Sequence, residues 1–550
     1  MQPNIDVTFV RWLAALLPIV AILYLLIGRN WKAASAAPVG FFIAVIIALT
    51  LFSTPVRMMA LQTVKGIWDA LFILYVIVPA LLLYEVSKEA GSFQAIRRGI
   101  ESYTQNELIH VLAIGWVFSS FLQGITGFGA PAAVTAPLLV AFGVKPFWAV
   151  VIALTGHTWA NTFGTLGVAW EGLAAVTEMQ NHDATAMAAA VMLLAANVFA
   201  GLLIAWMFGR RKGLMESLPA VLIIGLIHGG GQLLLAPIAP TLANFVPGTL
   251  ALAAVFVLSR SPWYRKDTEV TESEIMKPGE LEDDEDWEQR AEAAVGHEEQ
   301  EMSLPVALSP YLVLIALIVV ALLINPVNQL LNGVQLGFAF PRLETGLGLV
   351  VEGSDPYRQF APLTHPGTFL LLAAIFAYFL FRSKGEIRSG RITGILVDTI
   401  RTSIPSAVAL FALIPLAKVM EGSGQTQVLA QGIALVAPGM VYAFLAPLVG
   451  VLGSFMTSSN LSSNILFGPL QEGTALALNI SQVAVLAAQT AGGAIGNAIA
   501  PGIVLLGSGS VGVSERMGEI IRTNLRYVLV SLVFIGAIAV ITAILIPGGG

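Results

Sequence analysis

Long apolar stretches recur along this chain and exclude most soluble folds. Only 11% of the 550 residues are charged, whereas a soluble protein carries about 25% charged residues. Apolar runs of roughly 18 residues are long enough to cross a hydrocarbon core of about 30 Å. The clearest runs are 8–28, 38–55, 68–87, 186–208, 306–325, 366–383 and 527–547. The sequence predicts an all-α polytopic membrane protein with about 11–13 membrane segments, counting re-entrant ones.

The distribution of charge predicts which loops face the cytoplasm. Lys and Arg cluster after several apolar runs, as in Arg210–Lys212, but are absent from 171–185 and rare in 327–365. Basic loops remain on the cytoplasmic side, so we expect these two segments and both termini to be external. Arg57 and Lys65 are exceptions, because they fall in a loop that this topology places outside.

One loop is strongly acidic. Residues 267–301 hold fifteen Asp or Glu and two basic residues. A segment of this composition cannot bury enough apolar surface to fold alone. We predict a solvated acidic loop on the cytoplasmic side, with regulation or partner binding as the alternative.

Two distant parts of the chain resemble each other. EVSKEAGSFQAIRRGI (85–100) matches KVMEGSGQTQVLAQGI (418–433), and LTGHTWANTFG (154–164) matches AAQTAGGAIG (487–496). TAPLL (135–139) matches FGPLQ (467–471), and all offsets are 332 or 333. This register pairs His157 with Gln489. The two copies are approached from opposite sides of the predicted topology, so we expect an inverted repeat, as in many secondary transporters.

The apolar runs and the repeats divide the chain into consecutive parts. These are N-terminal transmembrane helices at 1–67, a first repeat at 68–208 with a hairpin at 123–143 and a broken helix at 146–170, linking helices at 209–262, the acidic loop at 263–304, a transmembrane helix and external loop at 305–365, a second repeat at 366–526 with a hairpin at 455–475 and a broken helix at 479–508, and a C-terminal helix at 527–550.

Each copy contains two polar interruptions rich in Gly, Pro, Ser, Thr and Asn. They are 123–137 and 155–167 in the first copy, and 457–469 and 488–502 in the second. Irregular backbone is tolerated at membrane depth only where protein or a water-filled cavity pairs its polar groups. The interruptions therefore predict paired re-entrant hairpins and broken helices around a binding site, although small and hydroxyl residues also allow close helix packing.

Uncharged polar groups at these breaks are the candidate binding residues. Hydroxyls, amides and free backbone N–H groups replace the hydration of a small anion without leaving a permanent buried charge. The predicted substrate-binding residues are Thr126, Gly127, Gly129, Thr158, Asn161, Ser458, Ser459, Asn460, Ser462, Ser463, Asn464, Gln489, Thr490 and Asn497.

His157 and Gln123 are the candidate residues for ion coupling. An ionisable group at membrane depth is a functional candidate, and imidazole titrates in the range that suits a proton carrier. The competing interpretation of His157 is a neutral side chain bonded in a helix interface.

The sequence contains no signature of an enzyme. It contains no P-loop, no metal-ligand cluster and no cysteine, so we expect no cofactor, no metal and no nucleic-acid partner. The oligomeric state is left open.

The polar interruptions carry a family resemblance. FLQGITGFGAPAAVTAPLLV (121–140), FMTSSNLSSNILFGPLQ (455–471) and LAAQTAGGAIGNAIAPG (486–502) resemble the bacterial L-lactate permease family, and the resemblance covers nearly the whole chain. It implies a proton-coupled importer of lactate, glycolate and similar 2-hydroxy monocarboxylates in the bacterial inner membrane.

The chain departs from the family pattern at four positions. That pattern has Glu, Asp and Lys where this sequence has Gln123, Asn460 and Asn497, and Asn at the position of His157. These departures keep three alternatives open, namely Na⁺ as the coupling ion, another organic anion such as a dicarboxylate or sulfonate as the substrate, and a membrane receptor or sensor that binds the anion without moving it.

Overall fold

The computed structural model of the protein describes residues 5–29, 31–102, 106–268, 270, 273–276 and 302–548. Most of the predicted acidic loop lies outside these residues. Its first part contributes one ion pair, in which Arg210 Nη2 lies 3.1 Å from Glu274 Oε2.

The described residues are almost entirely helical. The helices are Phe9–Leu23 with its π-helical continuation Tyr24–Gly28, Ala33–Thr50, Val56–Glu89, Ser92–Glu101, Glu107–Leu112 continued by Ala113–Phe118 and Ser119–Ile125, Ala130–Ala141, Pro146–Thr158 with Trp159–Asn161, Gly164–Val176, His182–Gly225 with Leu226–Gly230 and Gly231–Leu235, Phe245–Leu258, Leu304–Leu323, Asn325–Leu331, Pro366–Ser383, Ile392–Ser423, Gln425–Ala434, Gly439–Thr457, Asn460–Ala477, Gln482–Gly496 with Asn497–Ile499, Pro501–Ser510, and Ser514–Arg516 with Met517–Leu545.

Length and apolar composition qualify ten of the described helices to cross a membrane, or eleven if the bent pair Gln482–Ile499 and Pro501–Ser510 counts as one span. Shorter apolar helices such as Ala130–Ala141 accompany them. The predicted all-α membrane architecture is therefore confirmed. Arg57 and Lys65, expected in a loop, instead lie on helix Val56–Glu89, because the helix begins twelve residues before the apolar run 68–87.

Both halves of the chain contain the same order of elements. A glycine with positive φ follows each of two long helices. Gly91 follows Val56–Glu89, the first long helix, and Gly424 follows Ile392–Ser423, the second long helix. A ten-residue helix follows each glycine. Next come the first hairpin (107–141) and the second hairpin (439–477), and then the first broken helix (146–176) and the second broken helix (482–510).

Corresponding elements differ in length between the two halves, which corrects the predicted pairing of His157 with Gln489. The returning arm of the first hairpin has 12 residues and that of the second has 18. The 3₁₀ turn of the first broken helix is Trp159–Asn161 and that of the second is Asn497–Ile499. His157 lies beside its turn, whereas Gln489 lies two helical turns before the other.

Some predicted boundaries between parts of the chain coincide with helix breaks, and others fall inside helices. The boundary at 208/209 coincides with a break in helix His182–Gly225, where Gly209 and Arg210 leave helical geometry. The boundaries at 67/68 and 526/527 fall inside helices Val56–Glu89 and Met517–Leu545.

A small β-sheet region covers one end of the first long helix. Strand Leu336–Phe340 pairs antiparallel with Ser354–Phe360, and Leu343–Glu344 pairs with Val350–Val351. We call residues 336–360 the β-flap. Its Phe338 ring lies 4.8 Å from the Trp68 ring, and the Trp68 indole donates a 3.0 Å hydrogen bond to the carbonyl oxygen of Arg358.

The second hairpin packs backbone to backbone on the second broken helix. A Cβ added at Gly492 would fall on the carbonyl oxygen of Pro447, and one added at Gly450 would fall on that of Gln489. Such contact is what small residues allow between membrane helices. The hairpin and the broken helix therefore form one tightly joined unit.

Replacing Gly492 tests this contact. We expect Gly492→Ala to lower the midpoint of thermal unfolding of the purified protein, because overpacking costs about 1–3 kcal/mol. Gly518→Ala is the matched control, since its added Cβ meets no atom within 4 Å. Equal midpoints for the two variants would contradict close packing at Gly492.

Candidate functional site

The tips of both hairpins and the turns of both broken helices meet at one cavity, which together with its open mouth contains about 440 Å³ of empty space. The cavity is lined by Gln123, Gly127, Phe128, Gly129, His157, Asn161, Gly164, Thr165, Val168, Ala169, Ser458, Ser459, Asn460, Leu461, Asn497 and Ile503.

The first hairpin turns tightly at its tip. The hydroxyl of Thr126 donates to the carbonyl oxygen of Leu122, which closes the end of the incoming helix. Phe128 and Gly129 then take positive φ values of 58° and 88°. Glycine adopts this conformation without strain, whereas Phe128 does not. The turn brings Gly127, Phe128 and Gly129 to the cavity wall.

The second hairpin turns at Ser458, which has a left-handed backbone. The backbone N–H of Gly502 donates to its hydroxyl oxygen at 2.9 Å, so the tip is tied to the second broken helix. Ser459 caps the returning helix by accepting from the N–H of Ser462. The first N–H groups of that helix have no partner within it, and its start at Asn460 faces the cavity.

The first broken helix contributes a strained segment and a histidine. Thr165, Leu166 and Gly167 have successive positive φ values, and strained backbone of this kind concentrates at functional sites. His157 is buried, with Nδ1 2.6 Å from the carbonyl oxygen of Ala153. Because a carbonyl only accepts, Nδ1 carries the hydrogen, and Nε2 is left as an acceptor beside the cavity.

Two amide oxygens at the cavity have no hydrogen-bond partner. Asn460 and Asn497 are more than nine-tenths buried, yet Oδ1 of each is unpaired. The amide nitrogen of Asn460 donates to the Thr162 hydroxyl at 3.3 Å, which in turn donates to the carbonyl of Thr490. An unpaired buried acceptor costs about 1–3 kcal/mol, so a hydrogen-bond donor that reached either oxygen would stabilise the site.

Four further predicted residues, Ser463, Asn464, Gln489 and Thr490, belong to a hydrogen-bonded network behind the cavity wall. The amide of Asn464 donates to the carbonyl of Ala169 (2.9 Å) and to the hydroxyl of Thr490 (2.8 Å). The amide of Gln489 donates to the hydroxyl of Ser463 (3.2 Å) and accepts from Gln471 (3.0 Å). This network joins the second hairpin to both broken helices.

The predicted binding residues therefore fall into two groups. Those at the cavity are Gln123, Gly127, Gly129, His157, Asn161, Ser458, Ser459, Asn460 and Asn497. Those that do not line it are Thr126, Thr158, Ser462, Ser463, Asn464, Gln489 and Thr490. A polar residue inside a break has the same sequence signal in either group, and only the fold separates them.

Sequence reasoning missed the apolar part of the wall. Phe128, Val168, Ala169, Leu461 and Ile503 line the cavity, but apolar residues carry no signal in an apolar chain. Gly164 and Thr165 also line the cavity, and both lie inside the predicted interruption 155–167, so the sequence did carry a signal for them. No group of three or more His, Cys, Asp or Glu among the described residues could hold a metal ion.

The helices and the cavity at their breaks define a multi-pass membrane protein with a binding site among its spans, and comparison with known proteins names its family. The L-lactate permease family matches residues 11–546. The chain belongs to this family.

Curated relatives align over almost their whole length. The glycolate permease GlcA of Escherichia coli K12 is 28% identical, covering 98% of this chain and 96% of its own. The L-lactate permease of Halalkalibacterium halodurans is 28% identical over 92% and 91%, and that of Escherichia coli K12 is 26% identical over 98% of both chains.

Two solved transporters resemble the structure at low identity. The YdaH transporter of Alcanivorax borkumensis is 17% identical with a TM-score of 0.41, covering 85% of this chain and 84% of its own. MtrF of Neisseria gonorrhoeae is 15% identical with a TM-score of 0.47, covering 90% and 86%.

Two substitutions should separate the network from the cavity wall. We expect Gln489→Met to destabilise the protein by about 1–3 kcal/mol, because Gln471 and Ser463 lose a buried partner. Asn497→Leu should not destabilise it, because an unpaired buried oxygen is removed. Thermal unfolding of the purified proteins measures both effects, and an equal loss in the two variants would contradict the division.

Proposed function

We propose that this protein is a secondary active transporter that carries a small 2-hydroxy monocarboxylate, such as L-lactate or glycolate, across the bacterial inner membrane together with a proton. The names of its relatives support a monocarboxylate. One observation carries the proposal: the start of a helix and two asparagines with unpaired amide oxygens line the same cavity.

The returning helix of the second hairpin suits the carboxylate group. Unpaired backbone N–H groups at the start of a helix favour an anion. Ser459 and Asn460 add side-chain polar groups at the same place, while the described cavity wall contains no Asp, Glu, Lys or Arg. An anion bound there loses water but meets no fixed opposite charge, which suits a substrate that must also be released.

The unpaired oxygens suit the 2-hydroxyl group. Oδ1 of Asn460 and of Asn497 each lack a donor, and a hydroxyl next to a carboxylate supplies one. A site with buried acceptors discriminates strongly against an analogue that leaves them unpaired. The substrate is thus a hydroxy acid rather than a simple fatty acid.

His157 is the proposed proton carrier. Its Nδ1–H is held by the carbonyl of Ala153, so a proton taken from outside would be bound at Nε2, on the cavity side. The resulting imidazolium would attract the carboxylate and release it after losing the proton. This links the two ligands in one cycle.

The movement that exposes the cavity to each side in turn is proposed to involve the hairpins and broken helices as one unit. Backbone contact at Gly492 and the network around Gln489 hold this unit together. The two long helices pack along each other and would form the fixed part. Opposite orientation of the two halves would relate the inward and outward states.

Na⁺ coupling is a second candidate that one observation favours. Uncharged oxygens, including those exposed at helix breaks, coordinate Na⁺ in transporters. Asn460 and Asn497 offer such oxygens. Uptake of labelled lactate into proteoliposomes under an imposed proton gradient, or under a sodium gradient, distinguishes the two ions.

The hydroxyl requirement is tested by competition. We expect propionate to inhibit counterflow of labelled L-lactate at least about tenfold more weakly than unlabelled L-lactate, because the unpaired oxygens gain no donor from it. In Asn497→Leu the difference should shrink. Equal inhibition by both acids in the parent would disprove the role of the amide oxygens, and absence of any counterflow would indicate a receptor.

The role of His157 is tested with a matched buried histidine. We expect His157→Gln to abolish uptake driven by a proton gradient while lactate exchange remains, because glutamine keeps a donor for Ala153 but cannot take up a proton. His228 does not line the cavity, and its Nε2 lies 2.9 Å from Asn244 Oδ1. His228→Gln is therefore the control. Unchanged proton-driven uptake in His157→Gln would remove His157 from the mechanism.

A further inference from the structure

A buried group of charges lies outside the cavity, under the β-flap. Asp69 on the first long helix is fully buried, and its Oδ2 accepts a 2.7 Å hydrogen bond from the hydroxyl of Tyr357. Burial raises the pKa of the Tyr357 phenol, which keeps it a donor. Arg358, the next residue of the flap, places Nη1 3.6 Å from Asp69 Oδ1.

Arg358 also contacts a helix that forms part of the cavity wall. Its Nη2 lies 2.7 Å from Glu171 Oε2. Glu171 belongs to helix Gly164–Val176, whose residues Val168 and Ala169 line the cavity. One guanidinium therefore bridges a carboxylate of the first long helix and a carboxylate of the first broken helix.

The contacts of the β-flap are distributed unequally between these two helices. Toward the first long helix it makes a hydrogen bond from Trp68, ring contacts with Trp68 and Phe72, and cation–π contacts of Lys65 with Phe340 and Tyr357. Toward the broken helix, the described contact is the ion pair with Glu171. The β-flap is thus part of the long-helix body, and the side chain of Arg358 links it to the first broken helix.

The bridge can be broken at modest energetic cost. The side chains of Arg358 and Glu171 are 25% and 30% exposed, so water reaches both when they separate. Nη1 of Arg358 and Oδ1 of Asp69 face each other without a hydrogen bond. Burial and the charge of Arg358 lower the pKa of nearby His365 to about 4, so that ring adds no competing charge at neutral pH.

We propose that Arg358 is a positioning residue for transport, which holds the cavity in the position seen here by tying the first broken helix to the long-helix body. The tie breaks when the hairpin unit moves, and its strength sets the ratio of the two states. This inference rests on the proposed transport cycle, because it needs a unit that moves against a fixed body.

Spin labels test the tie without any substrate. The chain has no cysteine, so labels attach only at two introduced sites. One is Glu178→Cys, an exposed position just after the first broken helix. The other is Leu330→Cys on the exposed helix Asn325–Leu331, which packs on Leu304–Leu323 and through Pro366–Ser383 on the first long helix. We expect two label distances, one from the state described here and one from the state in which the hairpin unit has moved. Arg358→Gln and Glu171→Gln should each raise the population of the moved state relative to the described state about fivefold. The double variant should raise it no further, as for two residues of one interaction.

Arg342→Gln is the matched control. Arg342 forms an exposed ion pair with Glu352 inside the same flap, and its loss should leave the distances unchanged. The proposal would be overturned if Arg358→Gln showed the same distance distribution as the parent. It would also be overturned if the double variant changed the ratio by the product of the two single changes.

Crosslinking tests whether the tie must open during transport. With a reducible bifunctional thiol reagent, the pair Glu171→Cys and Arg358→Cys should lose lactate counterflow and regain it on reduction. The pair Trp68→Cys and Phe338→Cys, within one body, should keep counterflow when crosslinked. Continued transport by the first crosslinked pair, or loss in both pairs, would overturn the proposal.

The two kinds of failure remain distinct. If the parent protein shows no counterflow of lactate, the proposed substrate is wrong, whereas the label distances still report whether Arg358 controls the position of the broken helix.

Discussion

Pairing of backbone polar groups at membrane depth is the constraint on which this structure depends. A bilayer offers no water to a broken helix, so each interruption must be paired from within the protein. Ser458 accepts from the N–H of Gly502, Asn464 donates to the carbonyl of Ala169, and Asn524 donates to that of Ala498. The side chains that make these bonds are neutral and short, which is why Ser, Thr and Asn concentrate at the breaks.

The same chemistry has two uses that the fold keeps apart. Polar groups bonded to one another, such as Gln471, Gln489 and Ser463, fix the second hairpin on its broken helix. Asn460 and Asn497 line the cavity, and the Oδ1 atom of each is unpaired, so a bound ligand is proposed to complete their bonds. Residues of the same types thus serve helix packing in one place and binding in the other, and residue type alone does not mark the site.

Sequence patterns predicted the membrane fold, the four interruptions and much of the cavity wall. The interruptions were readable because Gly, Pro and hydroxyl residues contrast with their apolar surroundings. The register of the repeat was not readable, since the longer return arm of the second hairpin shifts all later positions. The cluster around Asp69 and Arg358 was missed for a different reason: its members come from distant segments, and a single charge on an apolar helix gives no sign of its partner.

The return arm of the first hairpin has a consequence for how the protein is made. Ala130–Ala141 contains 12 residues, and at 1.5 Å per residue it is only about 18 Å long. Such a segment is too short to be threaded through the bilayer by the translocon as a span of its own. Without the surrounding helices its polar ends would meet hydrocarbon, so we expect this arm to reach its place only after those helices have inserted.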